Sequence, residues 1–387
     1  MNFDLSEEQQ LIQDSVARFV QDNYALEQRV ALSARDPGFS TTYWQTMAEL
    51  GWLALPFDEA DGGFGGNQID TMVVMEQFGK GLVLEPYLAS IVMGGGALKR
   101  GGSTELKAEI LPGVIDGSRQ LTLAYAEEQA RFDLHDVTTT ARADGDDYVL
   151  NGHKSMVANA ATASQIVVSA RTSGGQIDAN GISLFLIDAD APGVKLTSFP
   201  TVDGLRASEL TLDNVKVAAS RLIGSRDGGF EILNAVANDA ILALAAEAVG
   251  AMEVLYKDTV AYTQEREQFD HPLADFQVLQ HRMVEMFMEY EQCKSLLYRA
   301  TLESARGDTA ARGDTQARGD TATSQRTVHA LKHLIGKAGI FIAENAVQLH
   351  GGMGMTEELR VGHFFKRLLV IDAQFGNADY HLQKFAA

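Results

Sequence analysis

Two stretches of this chain carry residues that can do chemistry together. Arg266-Glu267-Gln268-Phe269 is followed by Gln277, and Gln348-Leu349-His350-Gly351-Gly352 comes later. The planar fork of an arginine can pair with two oxygens of one phosphate. Adjacent glycines let backbone amides approach an anion closely. The plainer reading of Arg266 is a surface residue in a helix-end salt bridge, and that of the Gly-Gly pair is a helix stop. The histidines are weaker candidates. His135, His153, His281, His329, His333, His350, His363 and His381 form no obvious metal-ligand set. His329 and His333 are spaced i, i+4, but no acid lies between them as in a zinc-protease helix, so the pair reads as a partly exposed helix face.

These residues need elements to hold them. With 387 residues, the chain exceeds what a single core supports, and two or three domains are expected. Residues 1 to 120 read as helices. Ser6, with Glu8 and Gln9 behind it, opens a run at helical spacing through Leu11, Ile12, Val16, Phe19 and Val20. A second helix is predicted from Tyr43 to Leu50, then a glycine-rich loop, Asp61-Gly62-Gly63-Phe64-Gly65-Gly66, then an apolar segment from Met72 to Phe78 with Glu76 inside it. From 121 to 230 the β-rich runs Tyr148–Gly152, Ile166–Ala170 and Ile182–Ile187 predict a small antiparallel β domain, with Asn-Gly, Asp-Gly and Pro-Gly turns between its strands. Gly224 and Gly228-Gly229 close it. From 231 to 387 longer helices return. Phe276, Leu279, Met283, Met286 and Tyr290 repeat at 3–4 spacing, and helix-bundle core is favoured over a cofactor groove for this stripe.

The sequence Ala305-Arg306-Gly307-Asp308-Thr309-Ala310 recurs twice with small changes, ending at Ala322. It reads as a solvated loop expanded by slipped copying, because loop length costs little stability. An adhesion role for its Arg-Gly-Asp triplets is the lesser reading. A net charge of −20 argues against nucleic acid or an anionic membrane as partner. One cysteine, Cys293, excludes an internal disulfide and fits a reducing cytoplasm. The acidic start Met1–Glu8 does not read as a signal peptide. No charge-free apolar run reaches the length of a membrane span, and Ile241–Met252 reads as a buried core helix. Helices, then a sheet, then helices is an α+β order, and no Gly-x-Gly-x-x-Gly follows a strand.

Several motifs in this order resemble the acyl-CoA dehydrogenase family along nearly the whole chain. They are Phe3–Gln9, Leu50-Gly51-Trp52 leading to Gly62–Gly66, Tyr148–Lys154, Gly204-Leu205-Arg206-Ala207-Ser208, Thr263–Phe269 with Gln277, and Gln348–Gly354. The resemblance implies a helical N-terminal domain, a middle antiparallel β domain and a C-terminal four-helix bundle. It also implies FAD as cofactor, an acyl-CoA substrate and an electron-transfer flavoprotein as oxidant, in lipid or steroid side-chain degradation. The family desaturates an acyl-CoA thioester: a carboxylate removes the α proton while hydride leaves the β carbon for flavin. That needs a polarised carbonyl, a tuned base and a flavin held by protein hydrogen bonds.

By this resemblance, Arg266, Phe269 and Gln277 reach across a subunit interface to the pyrophosphate and adenosine of a neighbour's FAD, and Gln348, Gly351 and Gly352 form the other wall. The family's own-flavin segments are altered. Thr-Glu-Pro-Gly-x-Gly-Ser-Asp reads Ala126-Glu127-Glu128-Gln129-Ala130-Arg131-Phe132-Asp133 here, so a threonine and a serine that bond FAD are lost. The aromatic-Ile-Thr/Ser-Asn run reads Met156-Val157-Ala158-Asn159. Each lost hydrogen bond to a buried ligand is worth roughly 1 kcal/mol or more. The usual base, a Glu before a Gly, is Phe375 before Gly376, and the alternative helix position is Ala240. Asp239, Glu247 and Asp379 are the nearest acids. Their plain readings are a solvated helix residue, a paired buried acid and a capping residue.

The retained residues are those a subunit donates to its neighbour. That pattern resembles the small or β subunits of heteromeric acyl-CoA dehydrogenases. Three functions follow: a subunit that completes a paralogous partner's FAD site, a self-sufficient homo-oligomer with a relocated base, or a non-catalytic scaffold of the same fold.

Overall fold

The computed structural model describes residues 5–311 and 321–387. Its helices begin with α1 (Glu7–Asn23), α2 (Leu26–Ser33), α3 (Thr41–Glu49) and α4 (Gln68–Gly81). A π-helical segment, Leu88–Gly95, leads into α5 (Gly96–Gly101) and α6 (Thr104–Ile115). After the strands come α7 (Gly229–Glu265), α8 (Gln277–Ala311), α9 (Thr321–His350), α10 (Arg360–Ala373) and α11 (Ala378–Ala386). The chain folds into two compact units, one of residues 1–31, 67–83 and 241–387, the other of residues 32–66 and 84–240.

The first unit is helical. α1 starts where its capping residues place it: Gln9 N–H donates to Ser6 Oγ at 3.2 Å, and Ser6 N–H donates to Gln9 Oε1 at 3.1 Å. α4 is buried along Met72, Val73, Val74, Met75 and Phe78. It closes on α7 through two glycines. A Cβ at Gly79 would meet the Glu247 carbonyl oxygen at 2.0 Å, and a Cβ at Gly250 would meet that of Glu76 at 2.0 Å. Neither position admits a side chain, so the two backbones touch. By length and composition α7 could cross a membrane, with an 18-residue window of mean hydropathy 1.5. That window is 72% buried inside the protein, as the core-helix reading of Ile241–Met252 expects. On α8, Met283, Met286 and Tyr290 are buried, while Leu279 and, just before the helix, Phe276 are more open to solvent. The first Arg-Gly-Asp copy departs from expectation. Its backbone from Ala305 to Ala310 continues α8, because nothing before Gly307 breaks the helical pattern. Residues 312–320, which hold most of the other two copies, lie outside the described residues.

The second unit is built on a sheet of β1 (Leu121–Ala124), β2 (Thr140–Asp144), β3 (Asp147–Ala158), β4 (Gln165–Arg171), β5 (Ile182–Asp188), β6 (Val194–Pro200), β7 (Arg206–Val217) and β8 (Leu222–Ile223). Its order is β6-β7-β3-β2-β4-β5-β8, with β1 beside β4. Most pairs are antiparallel, as expected. However, β1 runs parallel to β4, and Thr140 of β2 pairs in parallel with Arg171. The sheet is therefore mixed. The long excursion between β1 and β4 permits this, since parallel neighbours need a long connection. Gly145-Asp146 makes the β2–β3 turn between the paired Asp144 and Asp147, with Gly145 at φ +65°. Asn151-Gly152 does not turn. It lies inside β3 at a register shift, where Gly152 leaves room for Thr139: a Cβ there would sit 2.5 Å from Thr139 Oγ1. Ala124, Leu150, Val157, Ile166, Val168, Phe185, Leu210 and Val215 are among the buried apolar residues that make the core of this sheet.

Candidate functional site

The segment Arg266–Pro272 leaves the end of α7 as a tight hairpin. Gln268 pairs with His271 and Glu267 with Pro272, so Phe269 and Asp270 form a two-residue loop. Their φ angles are +57° and +63°. This is the backbone of a type I′ turn, in which Asn-Gly is the relaxed choice. A phenylalanine there is strained by roughly 1–2 kcal/mol. Its ring is 84% exposed and touches only the edge of Phe276, at 6.3 Å and 85°, among the ring contacts of the described residues. Burial does not offset the strain, and backbone strain of this kind clusters at ligand sites. Arg266 is exposed, and its side chain makes no ion pair among the described residues. Its backbone is fixed: Arg266 N–H donates to Tyr262 O at 2.8 Å, and Leu273 N–H donates to Arg266 O at 2.8 Å. The helix-end salt bridge is thus not formed. Gln277, the first residue of α8, is also exposed.

The second stretch ends α9. Gln348 is exposed, and Gly351 caps the helix at φ +60°. A Cβ at Gly351 or Gly352 would meet nothing within 4 Å, so the space beside both is open. By contrast Gly354 packs tightly, with the Val347 carbonyl oxygen 2.7 Å from where its Cβ would lie. The ends of α7 and α9 meet at Tyr262 and His350. Their rings stack at 4.3 Å, and Tyr262 Oη donates to His350 O at 3.4 Å. His350 Nδ1 bonds Ala346 O at 2.8 Å, which fixes the last turn of α9. The two motifs thus stand on neighbouring helix ends in one unit, each exposing the residues singled out from sequence.

The altered segments lie in the sheet unit. Ser155 N–H donates to Ala126 O at 2.9 Å, joining the strand that carries Met156 to the chain just beyond β1. Beneath them is a buried pair that sequence reading did not single out. Lys154 Nζ donates to Glu127 Oε1 at 2.7 Å and to Ser169 Oγ at 2.9 Å. Glu127 also accepts from the Thr138 and Thr139 amides, at 2.8 and 3.1 Å, and from the Thr138 hydroxyl. Burial pushes the Glu127 carboxyl up, but Lys154 and the Thr138 donors outweigh it and hold the group at about 2. Met156 is 55% exposed at φ +54°, and Arg131 is exposed at φ +51°. Both are strained positions for residues with a Cβ. Phe132 is half-buried.

The three acids fare differently. Asp239 Oδ2 pairs with the Arg100 guanidinium and is not the solvated residue of its plain reading. Glu247 is buried, with Arg367 Nε and Nη2 donating to its two oxygens at 2.5 and 2.7 Å. Both of its oxygens are engaged by Arg367, as the paired-buried-acid reading expects. Asp379 is exposed in the first turn of α11 but does not cap it. Asn377 does, accepting from Tyr380 N–H at 3.0 Å.

Phe375 sits in the turn between α10 and α11 at φ +57° and is buried. The carbonyls around it are held by basic side chains that no sequence pattern groups together. Lys332 Nζ donates to Asp372 O at 2.8 Å and to Gly376 O at 2.7 Å. His381 Nε2 lies 3.0 Å from Phe375 O, and His333 Nδ1 lies 2.9 Å from Ala378 O.

Comparisons with known proteins agree over the whole chain. Residues 6–118 match the N-terminal domain model of the acyl-CoA dehydrogenases, 122–215 the middle domain and 227–387 the C-terminal domain. A Bacillus subtilis (strain 168) protein named probable acyl-CoA dehydrogenase YngJ is 27% identical over 384 residues, covering 98% of this chain and 97% of that one. Among solved structures, the ChsE4-ChsE5 complex from Mycobacterium tuberculosis matches with a TM-score of 0.87 and 25% identity, covering 100% of this chain and 98% of that one. PigA, solved with FAD and proline, matches with a TM-score of 0.89 and 26% identity, at the same coverage.

Proposed function

Because this chain belongs to the acyl-CoA dehydrogenase family, we propose that it is a subunit of an acyl-CoA dehydrogenase that completes the FAD site of a paralogous partner chain. The observation that carries this reading is the Phe269 hairpin. An exposed, strained aromatic and an exposed arginine without an ion pair among the described residues have no structural use in the chain's own fold. Arg266 would bond the pyrophosphate of FAD, and Phe269 would lie against its adenosine. Gln277, Gln348, Gly351 and Gly352 would complete that wall, and the open space beside both glycines fits a bound group.

The chain's own flavin-ring segment fits poorly. Ala126 and Phe132 offer no hydroxyl, and Met156 offers no ring. Flavin, when bound, accepts the hydride; this chain would supply the nucleotide half of its seat, and the partner would supply the base. The substrate would be an acyl-CoA, the eventual oxidant an electron-transfer flavoprotein, and the setting the cytoplasm. Likeness to the ChsE4-ChsE5 complex, a two-component assembly by its name, supports this division of labour.

A second reading rests on Asp379. Among the three candidate acids it alone is exposed and in no ion pair with a described residue, which favours it as the base of a self-sufficient enzyme. The test is the visible spectrum of the purified chain, alone and co-expressed with a paralogous dehydrogenase chain. Flavin absorbance only in the co-expressed sample supports the first reading. A full flavin complement and desaturation by the chain alone would overturn it.

A further inference from the structure

We propose that His329 and His381 form a proton-sensing pair that holds the Phe375 turn in place while the pair is uncharged and releases it on protonation. Phe375 O can only accept a hydrogen bond, so His381 Nε2, 3.0 Å away, must carry a proton. In a neutral ring that leaves His381 Nδ1 bare. His329 Nδ1 lies 2.9 Å from it, with the ring centroids 5.1 Å apart, so His329 must donate from Nδ1. The tautomers of both rings are thereby set, and the line His329, His381, Phe375 O is directional.

The surroundings make added charge costly. Lys332 holds the next carbonyl, Gly376 O, at 2.7 Å, so its ammonium already occupies the same turn. His333, one turn along α9 from His329, bonds Ala378 O. From α11, Lys384 and Tyr380 stand nearby, Tyr380 edge-on to His381 at 5.3 Å, and Asp379 is exposed to water. From α10 comes one acid, Asp372, whose Oδ1 is taken by Ala378 N–H at 3.0 Å. From α8 comes Glu303, held by Thr327, Arg299 and Arg306. Arg326 of α9 lies over the Phe385 ring. The Gly351–Met355 turn, at the far end of α9, brings no charged side chain. No acid in this set is bonded to either imidazole. Burial and the nearby Lys332 accordingly push His381 down to about 3, and burial and Lys384 push His329 below its ordinary value.

A proton added at His329 Nε2 can pass its Nδ1 proton to His381. The pair then carries a cation beside Lys332, and repulsion falls on the carbonyls that both grip. Folding favours the uncharged rings, so the turn is secure above the free imidazole value of 6.5 and weakens as pH falls toward the folded value. Phe375 is the position at which the resemblance places the family's base, so the device acts on a turn that faces chemistry in related chains. The device does not depend on the proposed function.

The test uses the full chain with 15N-labelled histidine. At about pH 7, NMR should show His381 as the Nε2–H tautomer and His329 as the Nδ1–H tautomer. Amide exchange protection at Ala378 and Tyr380 should then fall about tenfold between about pH 7 and pH 4.5. In His381→Gln the amide nitrogen can donate to Phe375 O and the amide oxygen can accept from His329, so protection should hold across that range. His381→Ala should lose protection at both pH values. A His329 ring found as the Nε2–H tautomer at about pH 7 would overturn the proposal. So would a His381→Gln variant whose turn loosens in step with the wild type, since the acid effect would then lie elsewhere. Should His381→Ala fail to fold, the tautomers and the glutamine variant still decide.

Discussion

Lys154 donates to Glu127 across 2.7 Å with both side chains shut away from water. The pair ties the chain just beyond β1 to the strand carrying Met156. Removing one member leaves the other charge buried alone. Lys154→Met should therefore cost about 3–5 kcal/mol of unfolding free energy, read from denaturant midpoints. Glu127 has a folded value of about 2 against an ordinary 4.5. Its contribution is thus complete above pH 4.5 and lost as pH falls toward 2. In Glu127→Gln that part of the acid-unfolding curve should flatten.

Arg266 should be silent in stability and loud in cofactor retention. Its side chain is exposed and makes no ion pair among the described residues, so Arg266→Ala should leave the thermal midpoint within about 1 °C. In a co-purified complex with a paralogous chain, the same change should weaken FAD retention by about 1.5–3 kcal/mol, the worth of a charge-assisted hydrogen bond. Arg266→Lys should fall between, because a lysine lacks the two-pronged fork. Equal flavin content in all three complexes would refute this role.

Phe269 invites the opposite trade. Replacing Phe269-Asp270 by Asn-Gly gives the turn its preferred residues and should stabilise the chain by about 1 kcal/mol. The same variant should lose FAD from the mixed complex. If the strained loop served only the fold, relaxing it would leave cofactor content unchanged.

Glu247, buried and paired with Arg367, and Asp379, exposed, call for different tests. Glu247→Gln should destabilise by about 3–5 kcal/mol, because it removes the negative charge from a buried pair with Arg367. Asp379→Asn should change stability by less than about 0.5 kcal/mol. Loss of desaturation in Asp379→Asn, with the chain as the sole subunit, would favour the self-sufficient reading.

Much of the scaffold is legible in local pattern. Ser6 and Gln9 announce a capping box, and the spacing of Met283, Met286 and Tyr290 announces a buried face. Such signals span one or two turns, so a single sequence shows them. The pairings that decide the site do not lie close in the chain. Glu247 and Arg367 meet across 120 positions, and His329 and His381 across 52. No periodicity predicts a partner at that distance. The Phe269 hairpin is hidden for another reason: it lacks the Asn-Gly that marks such turns. Asn151-Gly152 misleads in the reverse sense, since its glycine makes room for Thr139 within a strand.

The touching backbones of α4 and α7 impose an order on how this protein is made. A ribosome releases α1 and α4 long before it has synthesised Glu247 and Gly250, against which Gly79 and Glu76 must close. At roughly 5–20 residues per second, the apolar side of α4 waits through many seconds of synthesis without its neighbour. The part of α4 that α7 covers is therefore open to nascent-chain binders until late in translation. A ribosome stalled before Gly250 would hold a chain whose α4 still lacks the α7 backbone it closes on.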